Sequence, residues 1–152
     1  MTDDVTRQRE FWDEARAAHP ELPAEPPEAW PFGATAAQAD GLLQLVLEGV
    51  KTATASALGD YEADGEEVPR VGDLAIILDG AGAPRAVLEV TAVTVVPFDE
   101  VTAEHARDEG EDDRSLESWR RLHEEFWTEH SATGFAPDMS VVCERFRLVH
   151  RC

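Results

Sequence analysis

Residues 73–97, DLAIILDGAGAPRAVLEVTAVTVVP, decide the fold class of this chain. Residues 73–79 form a short apolar segment typical of a buried strand. Residues 85–97 alternate in side-chain character as a half-exposed strand does. The glycines and the proline of residues 80–84 have turn composition, so the stretch predicts a hairpin of two neighbouring strands.

The flanking sequence adds helices and two further strands. Thr35 and Gln38 have the spacing of a capping box, which predicts the start of a helix that ends at Gly49. Helices are predicted at 5–19, 35–49, 99–109 and 115–130, and further strands at 52–58 and 140–149. Helices and strands do not alternate as in a doubly wound sheet, so we predict an α+β fold with a small, mostly antiparallel sheet or barrel.

Five of the nine prolines lie between residues 20 and 31. Such a segment cannot form a helix and is expected to run extended over the surface. We therefore expect residues 1–33 to be an N-terminal helix and arm packed on a domain formed by residues 34–152, with one domain overall.

Charge limits the partners that this chain can bind. The 152 residues carry 13 basic and 32 acidic side chains, a net charge of −19. Binding to a phosphate backbone relies on several Lys and Arg contacts, so duplex DNA is excluded as a partner. A small nucleoside-like substrate or a short single-stranded RNA stays possible.

No apolar run could cross a membrane, and two cysteines without a CxxC motif indicate a cytoplasmic location.

Common cofactor and metal motifs are missing from the sequence. There is no GxGxxG, no phosphate-binding loop and no HExxH. The five histidines lie far apart, without metal-ligand spacing, so neither a metal nor a cofactor is predicted. Cys143 lies within a predicted strand and is expected to be a structural thiol.

Two segments have more distinctive chemistry. Lys51, in GVKTAT (49–54), is the only lysine among the 13 basic residues. A compact ammonium at that one position indicates a role that arginine cannot fill, although a solvated lysine fits the pattern equally well. The acidic run EGEDDRS (109–115) precedes a predicted helix and is either a solvated loop or a source of a carboxylate for the lysine.

These segments together resemble the ASCH domain family, in its longer subgroup. The resemblance spans about residues 10–150 and rests on GVKTATAS (49–56), PRVGDLAIIL (69–78), LEVTAVTVVPFDEVTAEHARDEGEDDRSLESWR (88–120) and MSVVCERF (139–146). It implies a PUA-like β-barrel flanked by helices, with a cleft for a base or a short RNA. The subgroup usually has glycine where this chain has Asp112.

The resemblance also implies functions and site residues. Small members resemble amidohydrolases that act on N4-acylated cytidine, and their catalytic residues correspond to Lys51, Thr54 and Glu109. Thr54 would be the nucleophile or orient water, Lys51 would be the base if burial favours its neutral amine, and Glu109 would position the lysine and transfer protons. A metal-independent ribonuclease acting on single-stranded RNA and a non-catalytic RNA- or nucleotide-binding module are the alternatives, and the oligomeric state stays open.

The side chains expected to bind the substrate include aromatic faces for a base and polar groups near the lysine. They are Thr52, Tyr61, Glu111, Arg114 and Trp30, with Phe32 as a further candidate for stacking. Trp119 is another possible stacking face, but it lies on the apolar side of its helix and is expected to pack in the core.

Overall fold

The computed structural model describes residues 3–152; the first two residues of the predicted arm lie outside this range. Its elements in chain order are α1 (Asp4–Ala18), β1 (Ala29–Pro31), α2 (Ala36–Leu47), β2 (Ala53–Ala57), α3 (Leu58–Asp64), β3 (Leu74–Leu78), β4 (Pro84–Pro97), a 3₁₀ turn (Phe98–Glu100), α4 (Ala103–Glu109), α5 (Leu116–His130) and β5 (Ser140–Arg151).

The strands form one curled sheet in the order β1-β3-β4-β5-β2. The pairs β3–β4, β4–β5 and β5–β2 are antiparallel, and β1 joins the edge in parallel with β3. The sheet is therefore mixed but mostly antiparallel, and it curls into a half-barrel. The predicted α+β class, with its PUA-like barrel and flanking helices, is confirmed.

The two faces of the sheet bury different helices. On one face, Phe11 and Trp12 of α1 pack against Ile76 of β3 and Val87 of β4. On the other, α2 packs against the alternate residues of these strands together with Phe32 and Phe146. Helices α4 and α5 cover the part of the sheet formed by β2 and β5.

The capping box predicted at Thr35 is confirmed. The Thr35 hydroxyl accepts a hydrogen bond from the Gln38 N–H at 3.1 Å, and the Gln38 side chain accepts one from the Ala34 N–H at 2.7 Å. The first bond satisfies an N–H group of the first turn of α2, which the helix cannot satisfy itself, and the second fixes the residue before the cap.

Three local predictions differ from the structure. The predicted helix 99–109 is divided, because Thr102 caps the His105 N–H and starts α4 anew after the 3₁₀ turn. The proline-rich arm contributes β1 to the sheet, since Ala29–Pro31 pairs with β3. Helix α3 was not predicted: it is short, and it follows β2 without a loop.

Among residues 3–152, no helix is long and apolar enough to span a membrane.

Trp12 joins helix α1, the arm and the sheet. Its side chain is fully buried, and its Nε1–H donates to the Pro23 carbonyl at 3.0 Å. We expect Trp12→Ala to lower the free energy of unfolding by about 3–5 kcal/mol because it leaves a large cavity. In a urea titration, Val5→Ala is the control, since Val5 is 77% exposed. If α1 and the arm belong to the same domain as the sheet, the variant unfolds in one transition at a lower urea midpoint than the wild type. A second transition at the wild-type midpoint would contradict this arrangement.

Candidate functional site

Lys51 enters the interior of the protein immediately after α2. The N–H groups of Val50 and Lys51 both donate to the Leu45 carbonyl, which closes the end of the helix. The next N–H, that of Thr52, donates to the Asp108 carbonyl in α4 at 2.7 Å. The chain is thereby held against the end of α4, and the Lys51 side chain is only 2% exposed.

Gly110 allows this close approach between the two segments. It ends α4 with φ of +76°, and a Cβ at this position would lie 2.9 Å from both the Val50 carbonyl oxygen and the Val50 Cγ1. Only glycine adopts this positive φ and leaves room for Val50 without strain. The carboxylates of Glu109 and Glu111, on either side of it, can therefore reach the lysine.

The Lys51 ammonium is surrounded by oxygen acceptors. Nζ lies 2.9 Å from the Ala53 carbonyl oxygen, 3.4 Å from the Glu109 carbonyl oxygen and 3.2 Å from Glu111 Oε2. It also lies 5.4 Å from the centre of the Phe32 ring. An ammonium has three N–H donors, so three acceptors match its charged form and leave no lone pair for a base.

Glu109 links the lysine to two histidines and a tryptophan. Its Oε2 lies 2.7 Å from His105 Nε2 and accepts from Trp119 Nε1 at 2.5 Å, and its Oε1 lies 3.3 Å from His123 Nε2 and 3.8 Å from Lys51 Nζ. Burial by itself raises the pKa of Glu109, but the charges and hydrogen bonds of these neighbours hold it well below its ordinary value. The side chain is 1% exposed, so Glu109 is a buried carboxylate with both oxygens occupied.

His123 completes this charge network from α5. Its Nδ1 lies 2.8 Å from the Trp119 carbonyl oxygen, which can only accept, so Nδ1 carries a proton. Its Nε2 faces Glu109 Oε1, a second acceptor, which favours the imidazolium. Burial lowers the pKa of His123, but the Glu109 and Glu111 charges more than offset this and raise it overall.

A cleft of about 770 Å³ opens beside Lys51 on the concave side of the sheet. Its lining in the described chain includes Thr54 and the rings of Trp30, Phe32 and Tyr61. Lys51 is its only Lys or Arg among residues 3–152, and nine acidic residues line it as well: Glu28, Glu66, Glu67, Asp73, Glu109, Glu111, Glu125, Glu129 and Glu144. The cleft is aromatic and strongly acidic, and its buried cationic groups are the Lys51 ammonium and the His123 ring.

Glu144 and Thr54 are direct partners across β5 and β2. Partners in an antiparallel pair project from the same face, and both side chains line the cleft. Burial, with a smaller effect of the Asp73 charge, raises the pKa of Glu144 to about 7. Burial and the Glu144 charge also raise the pKa of Tyr61, against the effect of a hydrogen bond with Ser56.

Glu144 and His123 are not among the predicted site residues. Both have a sequence signal: Glu144 shares its strand face with Val142 and Phe146, and His123 lies on the apolar side of α5. An ionisable residue on an apolar face is often buried near a partner or a cleft, and here both are.

The structure brings most of the predicted site residues together, but not all. Lys51, Thr54, Glu109, Glu111, Tyr61 and Trp30 line one cleft, as does Phe32. Thr52 and Arg114 do not: Thr52 is exposed and donates to the Asp108 carbonyl, because it precedes β2. Arg114 is exposed in a turn, where its Nε donates to the Arg107 carbonyl at 2.9 Å. Trp119 is 3% exposed and belongs to the core under α5.

Asp112 has a backbone conformation that glycine adopts more easily than other residues. Its φ is +54°, in the left-handed region, which aspartate tolerates better than most residues. Its Oδ2 accepts from the Ser118 hydroxyl at 2.5 Å. This bond attaches the loop that carries Glu111 to the first turn of α5.

Three possible metal ligands also meet in the cleft. Ligand atoms of Glu109, Glu111 and His123 lie within 4.8 Å of one another. Lys51 Nζ already lies between the two carboxylates, 3.8 Å from one and 3.2 Å from the other, and His123 is favoured as an imidazolium. The donor set thus fits an ammonium better than a divalent cation, which needs a neutral histidine.

Comparison with known proteins gives the family. The family model of the ASCH domain matches residues 28–150, and the chain therefore belongs to the ASCH domain family, as predicted. It is similar to a protein of Enterococcus faecalis V583 assigned to the family model DUF984, with 34% identity, coverage of 95% of this chain and 88% of the other, and a TM-score of 0.86. It is also similar to an ASCH domain of Lactobacillus crispatus JV V101, with 27% identity, 94% coverage of both chains and a TM-score of 0.83. No curated protein matches the chain.

The Glu109 network makes a prediction for stability. Glu109→Gln removes the fully buried counter-charge of Lys51 and His123 and leaves them only the partly exposed Glu111, so we expect the free energy of unfolding to fall by about 3–5 kcal/mol. The wild-type contribution of Glu109 is present above the unfolded pKa of about 4.3 and is lost as the pH falls through its lowered folded pKa. That of His123 is present below about pH 6.5 and is lost as the pH rises through its raised folded pKa.

The difference between wild type and Glu109→Gln is therefore expected to be largest at about pH 5–6 and smaller on both sides. Urea titrations across this range measure it, with Glu124→Gln on the exposed side of α5 as the control. A difference below about 1 kcal/mol, the size of a surface ion pair, would contradict a central role of the network.

Proposed function

We propose that this protein is a hydrolase that removes the acyl group from an N4-acylated cytidine. The observation that carries the proposal is a single buried ammonium, that of Lys51, which lines the same aromatic and mostly acidic cleft as Thr54. Hydrolysis of an amide needs a nucleophile and a positive group for the developing oxyanion, and these two side chains supply both.

The charge of the cleft favours a nucleoside over a polynucleotide. Nine carboxylates facing one lysine repel a phosphate backbone, whereas a neutral nucleoside meets no such barrier. The rings of Trp30 and Tyr61 offer faces for a pyrimidine. A cleft of about 770 Å³ has the volume of a site for a small molecule.

The contacts of each side chain support a division of roles. Lys51 would not act as a base, because its three N–H groups already meet three acceptors, and would stabilise the oxyanion through its positive charge. Thr54 would attack the acyl carbon. Glu109 would be a positioning residue, since its carboxylate is buried and fully bonded and holds Lys51 and His123 in place.

The proposal is tested by incubating the protein with N4-acetylcytidine and measuring the release of cytidine and acetate. We expect turnover by the wild type and a loss of at least about 100-fold in kcat for Thr54→Val, which keeps the shape of the side chain but removes the hydroxyl. Lys51→Arg is expected to lose as much, because a planar guanidinium does not fit acceptors arranged around a compact ammonium.

The control for these variants is Thr94→Val, an exposed strand threonine of β4 that does not line the cleft. Urea titration of each variant separates lost chemistry from lost folding. A wild type without activity on the acylated nucleoside, or a folded Thr54→Val of unchanged kcat, would refute the proposed reaction.

Salt dependence separates the nucleoside from the RNA alternatives. Binding of a nucleoside by stacking and hydrogen bonds is expected to change little between about 50 and 500 mM salt. Neutralising three or four phosphates of a single strand would instead give a log–log slope of about −2 to −3. A steep slope with single-stranded RNA, with or without cleavage products, would favour the ribonuclease or the non-catalytic RNA-binding module.

A further inference from the structure

We propose that Glu144 is the general base and acid of this reaction: it takes the proton of Thr54 and returns it to the leaving nitrogen. The inference rests on the proposed function, since it names the group that moves protons in the same cleft. The family resemblance gives no role to this residue.

The register of the sheet places the two side chains together. Thr54 and Glu144 are direct partners, and β-carbons of such partners lie about 4.5–5.5 Å apart. That separation allows a carboxylate oxygen to reach the hydroxyl of its neighbour. Phe146, two residues further on the same face, also lines the cleft and keeps this region of the strand apolar.

The other ionisable groups near Thr54 are poorly suited to moving protons. Glu109 is ionised and bonded at both oxygens, and the three donors of Lys51 are all engaged. The carboxyl group of Glu144, in contrast, receives no hydrogen bond from a donor among residues 3–152. With 8% of its surface exposed, it is close to the substrate space yet largely shielded from water.

The charges around Glu144 favour uptake of a proton. The charge of Asp73, which precedes β3, raises the pKa of Glu144, and the Glu144 charge in turn raises the pKa of Tyr61 in α3. On its own strand the neighbours are Cys143 and Arg145, whereas its β4 partner Val93 has no charge. The remaining ionisable groups of the lining are the Lys51 ammonium, two histidines and seven carboxyl groups: His123, His130, Glu28, Glu66, Glu67, Glu109, Glu111, Glu125 and Glu129. With a pKa of about 7, Glu144 is poised to act in both directions near neutral pH.

The reaction then balances in two halves. The Thr54 oxygen attacks the acyl carbon as its proton passes to Glu144, and the oxyanion forms beside Lys51. The bond from carbon to N4 breaks as Glu144 gives the proton to N4, which releases cytidine and leaves an ester on Thr54. Glu144 next takes a proton from water, the hydroxide attacks the ester, and the proton returns to the Thr54 oxygen as the carboxylic acid leaves.

The test is the pH profile of kcat/KM for N4-acetylcytidine between about pH 5 and 9, for the wild type, Glu144→Gln, Glu144→Asp and Glu100→Gln. A base must be ionised, so wild-type activity is expected to fall tenfold per unit below about pH 7. Glu144→Gln should lose at least about 100-fold and the acid limb of its profile. Glu144→Asp should keep a limb, and Glu100→Gln, exposed and outside the cleft, should match the wild type.

The test distinguishes a wrong role for Glu144 from a wrong proposed function. A wild type that hydrolyses the substrate while folded Glu144→Gln keeps the same rate, or the same acid limb, overturns the role of Glu144 alone. Activity lost equally at all pH values in Glu144→Gln and Glu144→Asp, with the limb kept in both, indicates a structural role and also overturns it. A wild type inactive at every pH overturns the proposed function, and the inference falls with it.

Discussion

The buried contact between Lys51 and Glu109 is the constraint on which the site depends. Two charges removed from water must each be compensated, and here the compensation comes from separate parts of the chain. Lys51 follows α2, Glu109 ends α4, and His123 comes from α5. Because each group needs the others, the loop after α2 and helices α4 and α5 are fixed relative to one another at the floor of the cleft.

The two faces of the sheet have different roles: one packs against α1, and the other forms the cleft. On one face α1 packs a mostly apolar layer through Phe11 and Trp12, in which the His150 ring packs against that of Phe11. The opposite, concave face is only partly covered and combines aromatic rings with carboxylates. Alternation along each strand produces both faces at once: Ile76 points to α1, and its neighbour Ile77 belongs to the core under α2.

Local patterns predict the fold well, while the geometry of the site depends on tertiary contacts. The hairpin of β3 and β4 and the cap at Thr35 follow from alternation, turn composition and local hydrogen bonds, which residues close in sequence determine. The partnership of Thr54 and Glu144 joins residues far apart in sequence, so only the register of β2 against β5 reveals it. The positions of Thr52 and Arg114 also depend on tertiary contacts. Their motifs lie near the lysine in sequence, but their side chains lie outside the cleft.

The burial of Lys51 has a consequence for the covalent chemistry of the whole chain. Lysine ε-amines are the usual targets of acetylation, of ubiquitin transfer and of amine-reactive crosslinkers, and this sequence has one. That amine is 2% exposed and its hydrogens are bonded to oxygens, while the surface cations are arginines. The fold therefore shields its one lysine from amine-reactive reagents in solution, and labelling of this side chain reports on the opening of the structure around it.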